Sequence, residues 1–315
     1  MRFHLSTLAL NLILPAFLLT TGTGAADDTY TGASGGPPNW FNVKNWDSGQ
    51  LPTSADSAII AVPGQTAANP VAIDNTADPA YKDKIAMSAR LVVGDGQTAF
   101  LTIKSPVSVA DSLRVGNSDV NHSGNGTVTQ TEGLVDPGAS PQIGTTSGLT
   151  GTYNLQGGAF VVGDTCLYIG GNSDPGQTAG AGSFIVSGGK LTVGSRVIFG
   201  TGGNASFTVI GSHATPIQIG EQFNADGAGL VNLNVQIDKG GLTPINTSIL
   251  GLQGITLCPS FAQGVAPFAG TWIVATYSTL AGTSTTPVLG KGIDPAHWSA
   301  QLDTTNMKLS ITYKP

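Results

Sequence analysis

Charge is scarce in this sequence, and positive charge is scarcer than negative. Only 10% of the 315 residues are charged, with 13 Lys and Arg against 19 Asp and Glu and a formal net charge of −6. An average globular domain has about 25% charged residues. Nucleic acids and anionic membranes are bound through clustered Lys and Arg, so neither is an expected partner. The 40% of hydrophobic residues can bury a core, which argues against disorder.

Long hydrophobic segments are also absent, apart from one at the N-terminus. Residues 8–19 are largely apolar, with Arg2 and His4 before them and the small residues 24–26 after them. This order predicts a secretory signal peptide over residues 1–26, because a membrane span needs about 20 apolar residues. We therefore expect the mature chain to have no membrane span and to be secreted, either extracellular or at the cell surface, with the periplasm as the alternative.

Cysteine is rare, and Cys166 and Cys258 are the only two. A chain with so few cysteines is not a disulfide-stapled scaffold. Export permits one disulfide between them, and the alternative is two separate thiols among apolar neighbours. The remaining histidines of the mature chain, at positions 122, 213 and 297, are too scattered to complete a metal site with two thiols.

Glycine, in contrast, is abundant at 44 residues, about twice the usual ~7%, and it punctuates an internal repeat. The segment "GSFIVSGGKLTVGSRVIFG", residues 182–200, has relatives that each start with an alternating strand and end on a β-branched residue plus glycine. These relatives cover residues 99–116, 126–144, 151–170 and 205–220. The closing glycines stand at 94, 116, 144, 170, 200 and 220, about 25 residues apart on average.

One copy of the repeat offers three short strands, at 183–187, 190–193 and 196–199, and no helix to cover them. Such strands bury their faces only if successive copies stack, with hydrogen bonds between coils about 4.8 Å apart. The repeat therefore predicts an all-β fold, a single-stranded parallel β-helix (a β-solenoid) that is right-handed and has three strands per coil. A β-sandwich is the competing interpretation, but sandwich strands need not resemble one another.

The register of the copies predicts which side chains form the core. Aligned inward positions carry the pairs Leu101 and Ile103, Tyr153 and Leu155, Phe184 and Val186, and Phe207 and Val209. Gln130 falls at one of these positions, either as a packed amide or because the register slips there. Glycine pairs at 157–158 and 188–189 are expected at the corners, where a positive φ favours glycine.

Both ends of a solenoid need caps, because an open end is an unpaired sheet edge. Trp40 and Trp46 are predicted to form the lid of the first coil rather than a sugar-binding platform. Trp272 and Trp298 are predicted to close the other end, where antiparallel strands are joined by a turn at 303–306. Asp78 and Pro79 indicate a single helical turn. The resulting division is signal peptide 1–26, N-terminal cap and first coils 27–90, repeat solenoid 91–244, and C-terminal coils with a capping hairpin 245–315.

The copies between about residues 91 and 234 resemble the bacterial repeat of autotransporter passengers and PEP-CTERM-type exported proteins, with its "GxLxVSGGxLTVGxxLxIG" cadence. The segment "NWFNVKNWDSGQLPTSADSAII" also resembles the opening of many exported β-helical proteins of such bacteria. The residues that carry this second likeness are Asn39, Trp40, Asn45, Trp46, Pro52, Asp56 and Ile59. The resemblance implies a β-helix with an adhesive or structural role.

β-Helices can also be polysaccharide lyases or hydrolases, and the sequence holds a few candidate catalytic residues. Asp111 and Asp164 occupy the same turn in two copies, beside Arg114 and Arg196. A hydrolase needs two carboxylates facing one bond, and a lyase needs a base beside a cation that neutralises the uronate. An aspartate at a corner more commonly serves the turn itself. The only two glutamates, at 132 and 221, are expected to lie several coils apart.

Calcium is the only cofactor that the sequence brings into question. "GNSD" occurs twice after a closing glycine, and Asp119 and Asp174 in these loops are candidate ligands. The pattern lacks the "GGxGxDxUx" repeat of calcium-binding β-rolls, which favours plain polar loops. The Thr-x-Thr run at 127–131 does not recur as threonines, so the sequence predicts no ice-binding array.

These observations lead to one hypothesis and two alternatives. The hypothesis is a non-enzymatic secreted protein, a stiff solenoid that serves as a structural or adhesive component of the bacterial cell surface or extracellular matrix. The first alternative is a β-helix that binds or cleaves an extracellular polysaccharide. The second alternative is self-association into filaments or sheets.

Overall fold

The computed structural model of the chain describes residues 26–116, 118–119, 122–171, 180–200, 204–225, 231–282 and 284–315. Over these residues the fold is nearly all β, with two single-turn 3₁₀ helices at Val43–Asn45 and Pro79–Tyr81. The chain winds through about nine coils of a parallel β-solenoid, which confirms the predicted fold class.

The strands are numbered in chain order. They are β1 (Ala26–Tyr30), β2 (Asp56–Ile60), β3 (Val71–Ile73), β4 (Ala86–Val93), β5 (Ala99–Ile103), β6 (Val107–Val115), β7 (Ser118–Asp119), β8 (His122–Ser123), β9 (Gly126–Gln130), β10 (Leu134–Asp136), β11 (Gln142–Ile143), β12 (Thr150–Leu155), β13 (Ala159–Val162), β14 (Leu167–Ile169), β15 (Ala181–Val186), β16 (Lys190–Val193), β17 (Arg196–Phe199), β18 (Ala205–Ile210), β19 (Ile217–Ala225), β20 (Val231–Ile237), β21 (Ile245–Gly251), β22 (Ile255–Phe261), β23 (Gly270–Thr276), β24 (Thr279–Ala281), β25 (Val288–Leu289), β26 (Trp298–Asp303) and β27 (Lys308–Tyr313).

Two sheets form the walls of the solenoid. Sheet B has nine strands, all parallel, in the order β3-β5-β9-β12-β15-β18-β20-β22-β25. Sheet A has 16 strands and bends within each coil. At this bend the strand either shifts register, as in β4, β6 and β19, or breaks into two, as in β13 and β14. Each coil therefore contributes two segments to sheet A and one strand to sheet B, which gives the predicted three strand segments per coil.

The repeat copy at 182–200 shows how closely the sequence predicts local structure. Its strands are Ala181–Val186, Lys190–Val193 and Arg196–Phe199, so the second and third have the predicted bounds. Each pairs in parallel with the equivalent strand of the preceding coil. Long-range parallel pairing between neighbouring copies is the arrangement of a solenoid and excludes the β-sandwich.

The predicted stacking of like residues is confirmed. Tyr153 pairs in register with Phe184, and Phe184 pairs with Phe207. All three side chains are fully buried. Their rings stack with centroid separations of 5.1 and 5.9 Å and interplanar angles of 6° and 8°. The same inward column runs the length of sheet B through Val71, Leu101, Val128, Tyr153, Phe184, Phe207, Leu233, Leu257 and Leu289.

Gln130 is a packed amide, and the register does not slip. It pairs in register with Ile103 and is fully buried. Its Nε2 donates to the carbonyl oxygens of Gly133 and Ala159, each at 3.0 Å, and its Oε1 accepts from the Tyr153 hydroxyl at 2.7 Å. Burial raises the pKa of Tyr153 well above its usual value, so this hydroxyl keeps its proton and donates a hydrogen bond to the amide oxygen of Gln130.

The prediction that Gly220 ends a copy of the repeat is wrong. Ile219 pairs with Val193, which places Gly220 beside Gly194 at the bend of sheet A. Strand β19 then continues to Ala225 and completes the coil. The motif Ile-Gln-Ile-Gly at 217–220 has a similar ending to Val-Ile-Phe-Gly at 197–200, a large apolar residue followed by glycine. Sequence periodicity alone cannot tell the two segments of sheet A apart, because both end on a β-branched or aromatic residue plus glycine.

The N-terminal lid is confirmed. Trp40 and Trp46 are 1% and 3% exposed, so neither ring is available to a sugar. The two rings meet edge to face with centroids 4.7 Å apart, and Trp46 Nε1 donates to the Trp40 carbonyl at 2.8 Å. Residues 38–40 also hydrogen-bond to Ala72, the middle residue of β3. This segment covers the first edge of sheet B.

The C-terminal end is closed by the predicted hairpin. Strands β26 and β27 pair antiparallel, and β27 pairs antiparallel with β23. Trp298 is buried and Trp272 half-buried, with ring centroids 6.4 Å apart.

The predicted single helical turn is also present, at Pro79–Tyr81. The Asp78 side chain accepts a hydrogen bond from the Ala80 amide at 2.9 Å and caps this turn.

Candidate functional surfaces

The two aspartates considered as catalytic candidates lie at the bend of sheet A, the same corner in two coils. Asp111 lies in β6, and Asp164 lies in the turn between β13 and β14. Both are exposed. One coil separates them, so their backbones are about 10 Å apart at ~4.8 Å per rung. Asp111 also forms an ion pair with Arg90, Nη2 to Oδ2 at 3.1 Å. Two carboxyl groups that flank a glycosidic bond lie about 5–9.5 Å apart, so a separation of about 10 Å between backbones is near the upper end of that range, and one of these two carboxylates is already engaged by an arginine.

The two candidate arginines bind neighbours other than these aspartates. Arg196 Nε lies 3.0 Å from Oε2 of Glu221 in the next coil, and the Ser195 hydroxyl donates to the same oxygen at 2.9 Å. These two hydrogen bonds, chiefly that from Arg196, hold the pKa of Glu221 below its usual value. An ionised Glu221 is a poor general acid. Arg114 Nε donates to the Ser112 hydroxyl at 3.2 Å.

The sequence did not indicate the pairing of Arg196 with Glu221, because it crosses from one coil to the next. The strand register does indicate this ion pair, because Arg196 pairs with Gln222, the neighbour of Glu221. The other glutamate, Glu132, lies between β9 and β10, three coils before β19. At ~4.8 Å per coil this is about 14 Å along the axis, so the two glutamates do not form a catalytic pair.

The calcium candidates receive no support from the described residues. Asp174 lies outside them. Asp119 belongs to β7, which forms a short antiparallel ribbon with β8, and only its backbone is described. Within the described part of the chain, no group of three or more His, Cys, Asp or Glu could hold a metal ion.

Cys166 and Cys258 are both free thiols. Cys166 lies just before β14, at sheet A, whereas Cys258 lies in β22 of sheet B, with three complete coils between them. A disulfide needs Cα atoms about 4.4–6.8 Å apart, and three coils alone are about 14 Å. The suggested disulfide between them is therefore wrong for this fold.

Two shallow cavities lie on the surface, one at sheet A and one at the N-terminal cap. One, of about 330 Å³, lies where β19, β21 and β23 meet and is lined mostly by polar residues, including Asn246 and Ser248. The other, of about 290 Å³, is lined by Phe41 and Tyr81, which stack at 5.5 Å. The amides and carboxylate of this second cavity cap nearby backbone groups. Neither cavity combines a base, an acid and a free polar group.

The outer face of sheet B is a regular surface, because its nine strands pair without a register shift. Because side chains alternate along a strand, the residues between inward positions form two outward columns, each in register from coil to coil. The first outer column is Phe100, Thr127, Thr152, Ser183, Ser206, Asn232, Thr256 and Val288. The second outer column is Ala72, Thr102, Thr129, Asn154, Ile185, Thr208, Asn234 and Cys258.

None of the residues in the nine strands of sheet B is charged. Sheet A differs, since its strands carry Asp56, Arg90, Asp111, Lys190 and Glu221 among others. The two faces of one solenoid thus have different chemistry. This separation is not visible in the sequence, because it appears only when the strands are sorted by sheet.

Comparison with known proteins returned no relatives. No protein-family model matches the chain, no curated protein matches it, and no solved structure matches its fold at a significant level. Among the described residues, no helix has the length and apolar character needed to cross a bilayer.

Proposed function

We propose that this protein is a non-enzymatic, exported β-solenoid that serves as a structural or adhesive component of the bacterial cell surface or extracellular matrix. The observation that carries the proposal is that charged side chains of sheet A form ion pairs between neighbouring coils. Arg90 pairs with Asp111 across one rung, and Arg196 pairs with Glu221 across another. These four charged groups thus pair with one another between neighbouring coils, which favours a structural use of the charge over a catalytic one.

The stack itself supports a mechanical role. Sheet B has nine hydrogen-bonded rungs, which extend over about 38 Å at ~4.8 Å per rung. Backbone hydrogen bonds run along this axis, and both ends are closed by aromatic lids. Such a rod resists bending and proteolysis, and its long faces present the same chemistry repeatedly.

Two measurements on the purified chain test the proposal. Sedimentation with isolated bacterial envelopes and extracellular matrix should recover the chain in the pellet. Incubation with acidic and neutral polysaccharides should produce no absorbance increase near 235 nm and no new reducing ends. Turnover that is lost on Asp111→Asn or Asp164→Asn would instead establish the alternative, a polysaccharide lyase or hydrolase. Failure to bind any envelope or matrix preparation would contradict an adhesive role.

A further inference from the structure

The uncharged outer face of sheet B has the shape and chemistry of a binding surface. We propose that it binds a linear, uncharged polysaccharide laid along the solenoid axis between the two outer columns. This inference rests on the proposed function, because it names the partner of the adhesive solenoid and the face that contacts it.

The charge of the face selects the class of partner. Its nine strands contain no charged residue, and the protein as a whole is acidic. The nearest charges lie beyond the strand ends, as at Lys104, which pairs with Asp74 at 3.4 Å. An acidic polysaccharide or a nucleic acid would lose its hydration and counterions here without gaining a cation. A neutral polymer has no charge to desolvate, and its hydroxyl groups can exchange water for the hydroxyl and amide groups of the face.

The shape of the face selects an extended ligand. Between the two columns each strand turns its side chain inward, as Phe184 does between Ser183 and Ile185. A furrow floored by backbone therefore runs along the axis, with its side-chain walls about 6.6 Å apart, two residues of a strand. A single sugar would bury little of its surface in so open a site. A linear polymer meets the same two walls at every rung, and many weak contacts then act together.

The side chains on the two walls are suited to hydroxyl groups. Thr, Ser and Asn both donate and accept hydrogen bonds, and being short they lose little conformational entropy on binding. Several are already held in place from rung to rung by hydrogen bonds between side chains. These are Ser206 Oγ to Ser183 Oγ at 2.9 Å, Asn234 Nδ2 to Thr208 Oγ1 at 3.1 Å, and Asn154 Nδ2 to Thr129 Oγ1 at 3.3 Å.

Two other neutral partners fit the face less well. A second copy of the chain would need an apolar interface core, and the only large apolar side chains in the two columns are Phe100, Ile185 and Val288. An ice surface would need hydroxyls at one height and spacing. The long side chains of Asn232 and Asn234 and the apolar Ile185 interrupt that regularity. A flexible polysaccharide tolerates both the long asparagine side chains and the apolar isoleucine.

The test uses the full chain and a triple variant, Thr127→Val, Thr129→Val and Thr152→Val. Valine keeps the β-branched shape and strand preference of threonine and removes its hydroxyl. The matched control makes the same change on sheet A, with Thr271→Val, Thr279→Val and Thr312→Val. Circular dichroism and urea midpoints check that every variant is folded. The probes are microcrystalline cellulose, chitin, mannan and a soluble mixed-linkage glucan, with alginate and heparin as acidic polymers.

The proposal predicts that the chain binds at least one neutral probe, with little change in affinity between low and high salt. The sheet B variant should bind about tenfold more weakly or worse, as expected for the loss of three hydroxyls, and the sheet A control should bind like the parent. Binding to acidic polymers alone, inhibition of ice recrystallisation without polysaccharide binding, or unchanged binding by the sheet B variant would overturn it.

The envelope sedimentation described above separates this inference from the proposed function. If the parent chain and the sheet B variant bind envelopes equally well, the adhesive role stands and the assignment of sheet B falls. If neither chain binds any envelope or polysaccharide, both fall.

Discussion

The ring of Tyr153 lies almost parallel to the ring of Phe184 one coil further on, with centroids 5.1 Å apart and planes 6° from parallel. Phe184 in turn stacks on Phe207. Each ring also meets Phe160, Phe199 or Phe223 edge to face across the interior. The middle of the solenoid is thus an aromatic core in which both favoured ring geometries occur together.

Replacing Phe184 with alanine should be among the most damaging core substitutions. The side chain is fully buried between two stacked rings, so its removal leaves a cavity that neighbours on fixed rungs cannot fill. We expect a loss of about 3–5 kcal/mol of unfolding free energy, measured by urea denaturation. The control is Ile185→Ala, on the outer face of the same strand, which should cost about 1 kcal/mol or less. Equal losses from the two variants would contradict the inward register.

The buried pair of Gln130 and Tyr153 should show strong coupling. Tyr153→Phe leaves Oε1 of Gln130 without its donor, and we expect a cost of about 1–3 kcal/mol. In a Gln130→Leu background the same Tyr153→Phe change should cost much less, because no amide oxygen remains to be left unpaired. Urea denaturation of the four proteins in this cycle gives the coupling energy. A coupling near zero would show that the hydroxyl and the amide do not bond.

Gly158 should not tolerate a side chain. Its φ is +69°, and a Cβ added there would overlap the carbonyl oxygen of Gly133 in the previous coil. Gly158→Ala should therefore destabilise the protein by more than about 1 kcal/mol. Gly163 is the control, since a Cβ there meets nothing within 4 Å. Gly163→Ala should leave the melting temperature nearly unchanged, and a similar drop for both variants would contradict the corner geometry.

The stability of the N-terminal cap should depend on pH through Asp28. This carboxyl is 5% exposed and bonds the amide and hydroxyl of Ser48. Its burial, together with a hydrogen bond to Asp47, raises its pKa from 3.8 to about 6. The folded state therefore holds the proton of Asp28 more tightly than the unfolded state does. The protonated carboxyl contributes its full stabilisation below about pH 4, and this contribution is lost as the pH rises through 6.

The measurement is the melting temperature between pH 4 and 7.5. The parent chain should lose stability over the upper part of this range, and Asp28→Asn should show a smaller decline, because the amide carries no titrating proton. Asp27→Asn, at an exposed neighbouring position, should keep the pH dependence of the parent. If Asp28→Asn and Asp27→Asn follow the same curve as the parent, Asp28 is not the group responsible.

Much of the fold could be predicted from the sequence because neighbouring copies of the repeat bury equivalent residues. Phe184 and Phe207 occupy the same place in two copies, and a core column follows directly. The wrong prediction for Gly220 also comes from the similarity between segments of the repeat. Two segments of sheet A with similar endings cannot be distinguished by periodicity, and only the pairing of Ile219 with Val193 decides between them.

The surfaces could be predicted less well, because they depend on contacts between coils. Glu221 gains its partner Arg196 across a rung, at a distance along the chain that no local motif encodes. The columns of sheet B were missed for a similar reason. Only "Thr-x-Thr" at 127–129 is obvious in the sequence, whereas Ser206 and Asn232 join the same column through the register. The resemblance to autotransporter and PEP-CTERM-type repeats stays a prediction.

Disulfide trapping between neighbouring rungs tests the central claim, that successive coils stack in register. In a background with Cys166→Ser and Cys258→Ser, the double variant Ser183→Cys and Ser206→Cys joins two paired positions of β15 and β18. Their Cα atoms should lie about 4.8 Å apart, within the range of a disulfide. Oxidation should link them in the folded protein, and Ser183→Cys with Asn232→Cys, two rungs apart at about 10 Å, should stay reduced. Cross-linking of the second pair but not the first would contradict the stacked register.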